Sequence, residues 1–534
     1  MNKTTKDNSY DVVVVGAGHN GLVAAAYLAQ AGLSVLVLER RNQAGGATAN
    51  HAPFPDYDVQ VSSYSYLVSM LPQEIVNDLR LAFTTKQRSV ASYTPNYDDP
   101  SKPGLFISNV DEGLSRESFT KLTGNEHEYR RYLHFLEMEG ELAKAIWPTL
   151  LEPLRSKQEL KKSLSTDLGQ QAWEGFIEQP LGEVIETNLK NDAVRGLLFT
   201  DAKIGVLTHP DDQSLLQNKT FLYHIIGNGT GEWRVPVGGM GRLVSQLVVR
   251  AQESGAQIVT GAGVTSIENA NKTIETHYMI DGKDFSVRSR FLLANIAPQV
   301  LATIMTSYKY QQPSIEGSVF KLNILLSRLP RLRDRSCSSK QAFTGTFHVD
   351  EGYETMKAGF NQAHRNEIPD IPTGEMYCHS LTDDSLLAPD LRSKGYQTLS
   401  LFGLDMPHRL FENDNNRVKS EVLKKYLKRI NQYLAEPIED CIAKDKQGGL
   451  CVEAKSPVDL EDQLNLPLGN IFHNGLSWPF AQTKDEAGTW GVETNIENVY
   501  VCGSGASRGG CVSGIPGHNA AMKVLQEVNG RSNN

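Results

Sequence analysis

Apolar and polar positions sort this chain into blocks of different period. Val12 to Val15 is an unbroken β-branched run, the pattern of a strand buried on both faces. Alanine and leucine dominate from Leu22 to Ala31, which predicts a helix that Gly32 stops. Ser34 to Leu38 is apolar again and predicts a second strand. Residues 85–105 are polar and carry Pro95, Asn96, Pro100, Pro103 and Gly104, the composition of a crossing loop. From about Arg116 to Asp201 the period is helical, as in "EYRRYLHFLEMEGELAKAIW", whose apolar face suits a core. A helix from Arg242 to Ser254 follows, then strands at Gln257 to Thr260, Gly263 to Glu268 and Phe291 to Pro298. Residues 315–455 mix strands and helices, with "SVFKLNILLS" and "YQTLSLFGL" the clearest strands. Val499 to Cys502 closes the series as a strand, ahead of a helix from about His518 to Glu527. No internal repeat or low-complexity tract interrupts the pattern.

The first junction carries chemistry. Between the valine run and the first helix stand Gly16, Gly18 and Gly21, with His19 and Asn20 among them. The first glycine permits a tight turn, the second a close approach of backbone to pyrophosphate, and the third close packing of helix on strand. Glu39 ends the second strand about 20 residues on, where a carboxylate binds ribose hydroxyls. Its charge repels a 2′-phosphate, so a phosphorylated nicotinamide cofactor is not expected there. Gly45 and Gly46 follow, and Arg40 and Arg41 are the nearest cations for a pyrophosphate. Near the other end, Gly503 and Gly505 form one turn and Gly509-Gly510 another. Ser513 to Gly517 then lead into the last helix, whose N-terminus offers amides and partial positive charge.

Composition narrows the classes. The 534 residues suffice for two domains or more, and the net charge of −9 argues against a general nucleic-acid binder. The polar start MNKTTKDNSY is not expected to be a secretory signal, and no stretch suits a bilayer span. Six scattered cysteines form no C-x-x-C pair, which argues against a zinc or dithiol centre and fits a reducing cytoplasm. Neither a metal-ligand cluster, a nucleophile elbow nor a P-loop is visible.

"VVVGAGHNGLVAAAYLAQAG", "GEWRVPVGGMG" and "VYVCGSGASRGGCVSGIPGHNAA" together resemble the phytoene desaturase-like flavoproteins of the amine oxidase superfamily. The glycine pair after Glu39 is similar to the extended FAD fingerprint of glutathione-reductase-type proteins, with Ala47-Thr48 where many relatives carry arginine. The resemblance implies an α/β fold: a discontinuous Rossmann-like FAD-binding domain (1–85, 230–310 and 456–534) with an interleaved α+β substrate domain (86–229 and 311–455). It implies that Glu39 binds the adenosine ribose, that Val264 meets the adenine, and that Gly503, Val512 and Ser513 lie along the isoalloxazine ring. "SVFKLNILLS" resembles the strand of monoamine oxidases whose lysine holds a water against flavin N5, here Lys321. The alternative for Lys321 is an exposed strand lysine. The stretch from Asn470 to Asn495 lacks the cysteine that links flavin covalently in those enzymes, so noncovalent FAD is expected. Trp478, Trp490 and His473 lie in that stretch as candidates to face flavin or substrate, with plain packing as the alternative, and His379 is a further titratable candidate. The implied activity is FAD-dependent oxidation of C–H bonds in an apolar, polyene or lipid-like substrate, with transient contact to a membrane surface. Oxidation of a small amine and a nonredox flavoprotein stand as alternatives. Electron acceptor and oligomeric state are left open.

Overall fold

The computed structural model describes residues 9–270 and 273–532; most of the polar N-terminal segment lies outside them. The valine run forms the strand Ser9–Val15, central in a seven-stranded sheet. Val35–Glu39 and Lys283–Ala294 flank it in parallel. Gln257–Thr260 and Val499–Val501 extend the parallel set on either side. Gly263–Ala270 and Thr273–Ile280 add an antiparallel extension to the first half of Lys283–Ala294. Val12, Val13 and Val14 have no exposed surface, as a strand with helices on both faces requires. The helices His19–Gln30, Met240–Glu253 and Ile515–Ser532 pack around this sheet.

A second seven-stranded sheet runs, in order, Val452–Lys455, Phe320–Leu326, Gln397–Gly403, Gly374–Tyr377, Thr346–Val349, Val90–Thr94 and Leu105–Ser108. The helices Glu112–Thr123, His127–Ile146 and Asp192–Lys203 belong to a helical layer with its own core, centred on Phe135, Trp173, Phe176 and Phe199. In His127–Ile146 the buried residues Tyr132, Phe135, Met138, Leu142 and Ile146 recur at helical spacing, so the expected core face is where the period puts it.

Two expectations need correction. Residues 85–105 are not a crossing loop: they hold the strands Thr85–Lys86 and Val90–Thr94 and lead into Leu105–Ser108. The prolines lie in the connection between the last two strands, and pairing with Thr346 and Phe347 fixes Val90–Thr94, a tertiary contact that local composition does not signal. The strand expected from Phe291 to Pro298 ends at Ala294, and Pro298 instead opens the helix Pro298–Ile304, where its missing N–H costs nothing.

Candidate cofactor and substrate site

The glycine-rich junction is built by close contact. A Cβ on Gly16 would lie 2.8 Å from the Asn295 carbonyl oxygen, one on Gly18 2.9 Å from Asn295 Nδ2, and one on Gly21 2.5 Å from the Gly16 oxygen. Each glycine is therefore demanded by a neighbour. Gly18 caps His19–Gln30 without a side-chain hydrogen bond, so first-turn amides stay available to an anion. Gly45 donates its N–H to the Ala17 carbonyl at 2.8 Å. Beside it, the Cβ side of Gly46 has nothing nearer than Gly18 Cα at 3.8 Å. Glu39, 8% exposed, accepts the Ala17 N–H at 2.8 Å on Oε2 and the Arg41 N–H at 2.9 Å on Oε1. Each oxygen keeps acceptor capacity for a ligand hydroxyl.

These groups line one end of a continuous cavity of about 630 Å³. It passes His19, Asn295 and His473 and opens into a chamber between the second sheet and the helical layer. Register builds the chamber floor. Lys321 pairs with Phe402, Phe402 with Glu375, and Glu375 with His348, one row across four strands. Two residues along, Tyr377 and Thr346 pair in the next row, and Thr346 pairs with Ser92. Alternation places all of these on one face, and all line the cavity. Two helices form the roof, with Tyr132, Leu136 and Glu139 on one and Leu197, Asp201 and Ile204 at the same spacing on and just after the other.

Burial sets the electrostatics. His19 and His473 are both held down to about 4, chiefly by burial, and for His19 also by the facing His473. Both are neutral at pH 7. His19 Nε2 and His473 Nδ1 are buried without a partner in the protein, and His473 has φ +67°, a conformation uncommon outside glycine. The Lys321 amine donates to the carbonyls of Ser62, Ser63 and Tyr64 at 2.8, 3.2 and 2.9 Å. It also lies 5.0 Å from the Tyr66 ring centroid. Burial lowers it to about 7 despite the opposing pull of Glu453. Across the chamber burial acts on acids: Glu375 is pushed up to about 8 by desolvation and then by Glu351. Desolvation also raises Asp201 and raises Glu139 strongly, with Asp201 adding to the effect on Glu139.

A family profile for NAD(P)-binding Rossmann-like domains matches residues 14–72. An uncharacterized protein of Mycobacterium tuberculosis is 42% identical, with 97% of each chain covered. The mouse pyridine nucleotide-disulfide oxidoreductase domain-containing protein 2 is 29% identical over 97% of this chain and 94% of its own. A lycopene-forming phytoene desaturase of Pantoea ananas is 23% identical over 96% and 98%. The chain belongs to the phytoene desaturase-like flavoproteins. Among solved structures, cyclohexylamine oxidase of Brevibacterium oxydans shares the fold at a TM-score of 0.55, with 12% identity over 97% of this chain and 99% of that one. A putrescine oxidase redesigned in cofactor binding shares it at 0.56, with 15% identity over 98% and 100%.

Members of this flavoprotein family use FAD, and the protein is an FAD-dependent oxidoreductase. The residues present fit that group. The glycine cradle admits a pyrophosphate and no Cβ, Glu39 has acceptor capacity for a ribose, and His19 and His473 hold orphaned ring nitrogens along the wall. Most residues read from the sequence for the cofactor meet here: Gly16, Gly18, His19, Asn20, Glu39, Arg40, Gly45, Gly46, Val264 and Val512 all line the cavity. Arg40 also donates to the Gln463 carbonyl at 3.3 Å. Gly21 and Gly503 lie just behind the wall: Gly21 against Gly16 and Asn295, Gly503 against Asn295 and His473. Ser513 has no exposed surface and accepts the Ile515 N–H at 3.2 Å, so it caps the last helix. Trp478 stands away from the wall, stacked on Phe480 with ring centroids 5.6 Å apart in the core of the helical layer. His379 stacks on Tyr66 and Tyr377 behind the floor, held down to about 3 by burial. Among the described residues no helix is long and apolar enough to cross a membrane.

Asn295, Tyr66, Arg88 and the chamber residues Glu139, Asp201, His348, Glu375, Tyr377 and Phe402 escaped the sequence reading. One signal for the acids was available: Glu139 and Asp201 stand in register with apolar helical positions, where a solvated acid has no reason to be.

Proposed function

We propose that the protein removes hydrogen from a C–H bond of a largely apolar molecule seated in the chamber. The observation that carries this reading is the continuity of one cavity from Glu39 to the chamber floor. FAD, when bound, supplies the ring that accepts hydride. The chain's own residues do the rest. Gly16, Gly18 and the start of His19–Gln30 hold the dinucleotide by its phosphates, and Glu39 by its ribose. Phe402, Leu136, Leu197, Ile204 and Phe472 on the wall exclude water and align an apolar body. Lys321, fixed by three carbonyls at the floor, would hold a water beside the reacting centre. The bond to Ser63, the longest of the three, is the one to yield for it. The apolar side chains along the chamber wall suit a largely apolar substrate. A second reading, oxidation of an amine, is favoured by the carboxyl groups of Glu139 and Asp201 on the same wall. Anaerobic mixing of the FAD-loaded protein with panels of apolar alcohols, terpenoids and amines tests the proposal. Bleaching of the flavin band by at least one member is expected. Bleaching by none of these classes overturns it.

A further inference from the structure

We infer that His19 and His473 receive the diphosphate of FAD as a pair and take up one proton between them as the cofactor binds. The inference goes beyond the reading of the chamber and does not depend on it.

Glycine contacts locate the pair. Gly18 is the position at which backbone approaches a pyrophosphate, and a Cβ there would lie 2.9 Å from Asn295 Nδ2. A Cβ on Gly503 would lie 3.1 Å from Asn295 Oδ1 and 3.2 Å from His473 Cε1. Asn295 thus ties Gly18 to Gly503, with His473 against the latter. His19 follows Gly18 in the chain, faces His473, and lines the same cavity as His473 and Asn295. One imidazole from the first turn of His19–Gln30 and one from the stretch before the last strand therefore stand together beside the place Gly18 marks. Each ring carries a buried nitrogen, Nε2 of His19 and Nδ1 of His473, without a partner in the protein. Buried polar atoms are nearly always satisfied, so two orphans at one place ask for a ligand. The backbone of His473 agrees: its φ is +67°, and such strain clusters at ligand clamps.

A diphosphate diester brings two negative charges, and the fixed cations are engaged elsewhere. The lysines and arginines on the cavity wall are Arg40, Arg41, Arg88 and Lys321. Arg40 packs against Gly263 and donates to the Gln463 carbonyl. Arg41 follows it, beyond the ribose-binding Glu39. In the chamber, Lys321 is held by three carbonyls and Arg88 by Thr346. Arg508, on the glycine-rich block after Gly503, turns its guanidinium to the carbonyls of Thr149, Glu152 and Trp490. The other titratable group beside the pair is Cys511, whose thiol burial pushes up to about 12 and keeps neutral.

The sign follows from the two states. In the free protein both rings are neutral at pH 7, held down to about 4 by burial, and in His19 also by His473 against an opposing hydrogen bond with the Cys511 backbone. A negative charge about 4 Å from an imidazole in a protein interior raises it by about three pH units. Bound diphosphate therefore brings the first protonation of the pair to about pH 7. The second stays lower, because a charged ring repels a proton from the ring it faces. Between about pH 7 and pH 4 the complex binds more protons than the free protein, so affinity for FAD rises as the pH falls through that window.

The test counts protons. FAD is titrated into cofactor-free protein between about pH 6 and pH 8, by calorimetry in two buffers of different ionisation enthalpy. The diphosphate ester is fully ionised across this range, so any proton taken up is the protein's. Uptake of about one proton at pH 6 is expected, with binding about tenfold tighter at pH 6 than at pH 8. Saturating ADP-ribose should reproduce the uptake. The double variant His19→Gln, His473→Asn should bind FAD without uptake and with a flat pH profile. Wild-type binding with no uptake, or an affinity independent of pH, overturns the inference whatever the variant does. Uptake that survives the double variant overturns it too. Uptake with FAD that saturating ADP-ribose does not reproduce moves the pair away from the diphosphate and overturns the assignment. None of these titrations contains substrate, so their outcome leaves the chamber reading untouched.

Discussion

Replacing Glu39 with glutamine separates two jobs that one carboxylate performs. In the native protein its two oxygens each accept a backbone N–H, from Ala17 at 2.8 Å and from Arg41 at 2.9 Å. Glutamine has one oxygen and one NH₂ group, so one of these amides must face a donor. Leaving a buried amide unsatisfied costs about 1–3 kcal/mol, which should appear as a lower melting temperature of the cofactor-free protein. The second job is the ribose. A hydrogen bond to a charged acceptor contributes about 1.5–3 kcal/mol, so FAD affinity should fall about 10- to 150-fold. Reconstitution of cofactor-free protein with FAD, followed by fluorescence quenching, gives the affinity; calorimetric melting gives the stability. The magnitudes are independent because the first is read without FAD. A variant that melts lower yet binds FAD with wild-type affinity would show that Glu39 only braces the glycine turn. Unchanged values for both would refute the whole assignment.

Acid precipitation should leave yellow flavin in the supernatant, since the stretch Asn470–Asn495 has no cysteine and burial holds the cavity-wall thiol of Cys511 up to about 12; flavin retained in the pellet would contradict this. Lys321→Met strips the donor from three carbonyls, so unfolding free energy should drop by about 1.5–3 kcal/mol and, with oxygen as acceptor, flavin reoxidation should slow; native values for both measurements would remove the assigned role. His19 and His473 stay neutral down to about 4 when folded, whereas unfolded imidazoles protonate near 6.5. Between those values the unfolded chain binds more protons, so stability of the cofactor-free protein should fall on acidification from pH 6.5 towards 4, by up to about 1.4 kcal/mol per pH unit per histidine. His473→Asn, which tolerates positive φ, should flatten that profile in denaturant titrations, and an unaltered slope would exclude His473 as a cause.

The dinucleotide end of the site was legible because its requirements are local. Gly16, Gly18, Gly21 and Glu39 lie within 24 residues of one another, and each answers to one contact of a turn, a helix start or a ribose. The substrate end is not local. Lys321, Phe402, Glu375 and His348 become neighbours only through strand register, and register is a tertiary property. Trp478 shows the opposite failure: a large aromatic in the right segment turned into the helical core, where its apolar area is worth more. The strand Val90–Thr94 was hidden among turn residues: it pairs on one side with Leu105–Ser108 across a proline-rich connection and on the other with a strand some 250 residues away.

The chamber floor has a consequence for divergence. Its inward positions at 346, 348, 375, 377 and 402 belong to three separate strands, and each alternates with outward residues that hold the sheet core, such as Phe347, Met376 and Leu401. An exchange at one inward position rewrites one patch of the wall while the sheet keeps its packing. The glycine cradle and Glu39, on the other sheet, take no part in that exchange. New substrates can thus be acquired one patch at a time by a lineage whose redox cofactor stays fixed, and a directed library needs only those five codons to explore the same space.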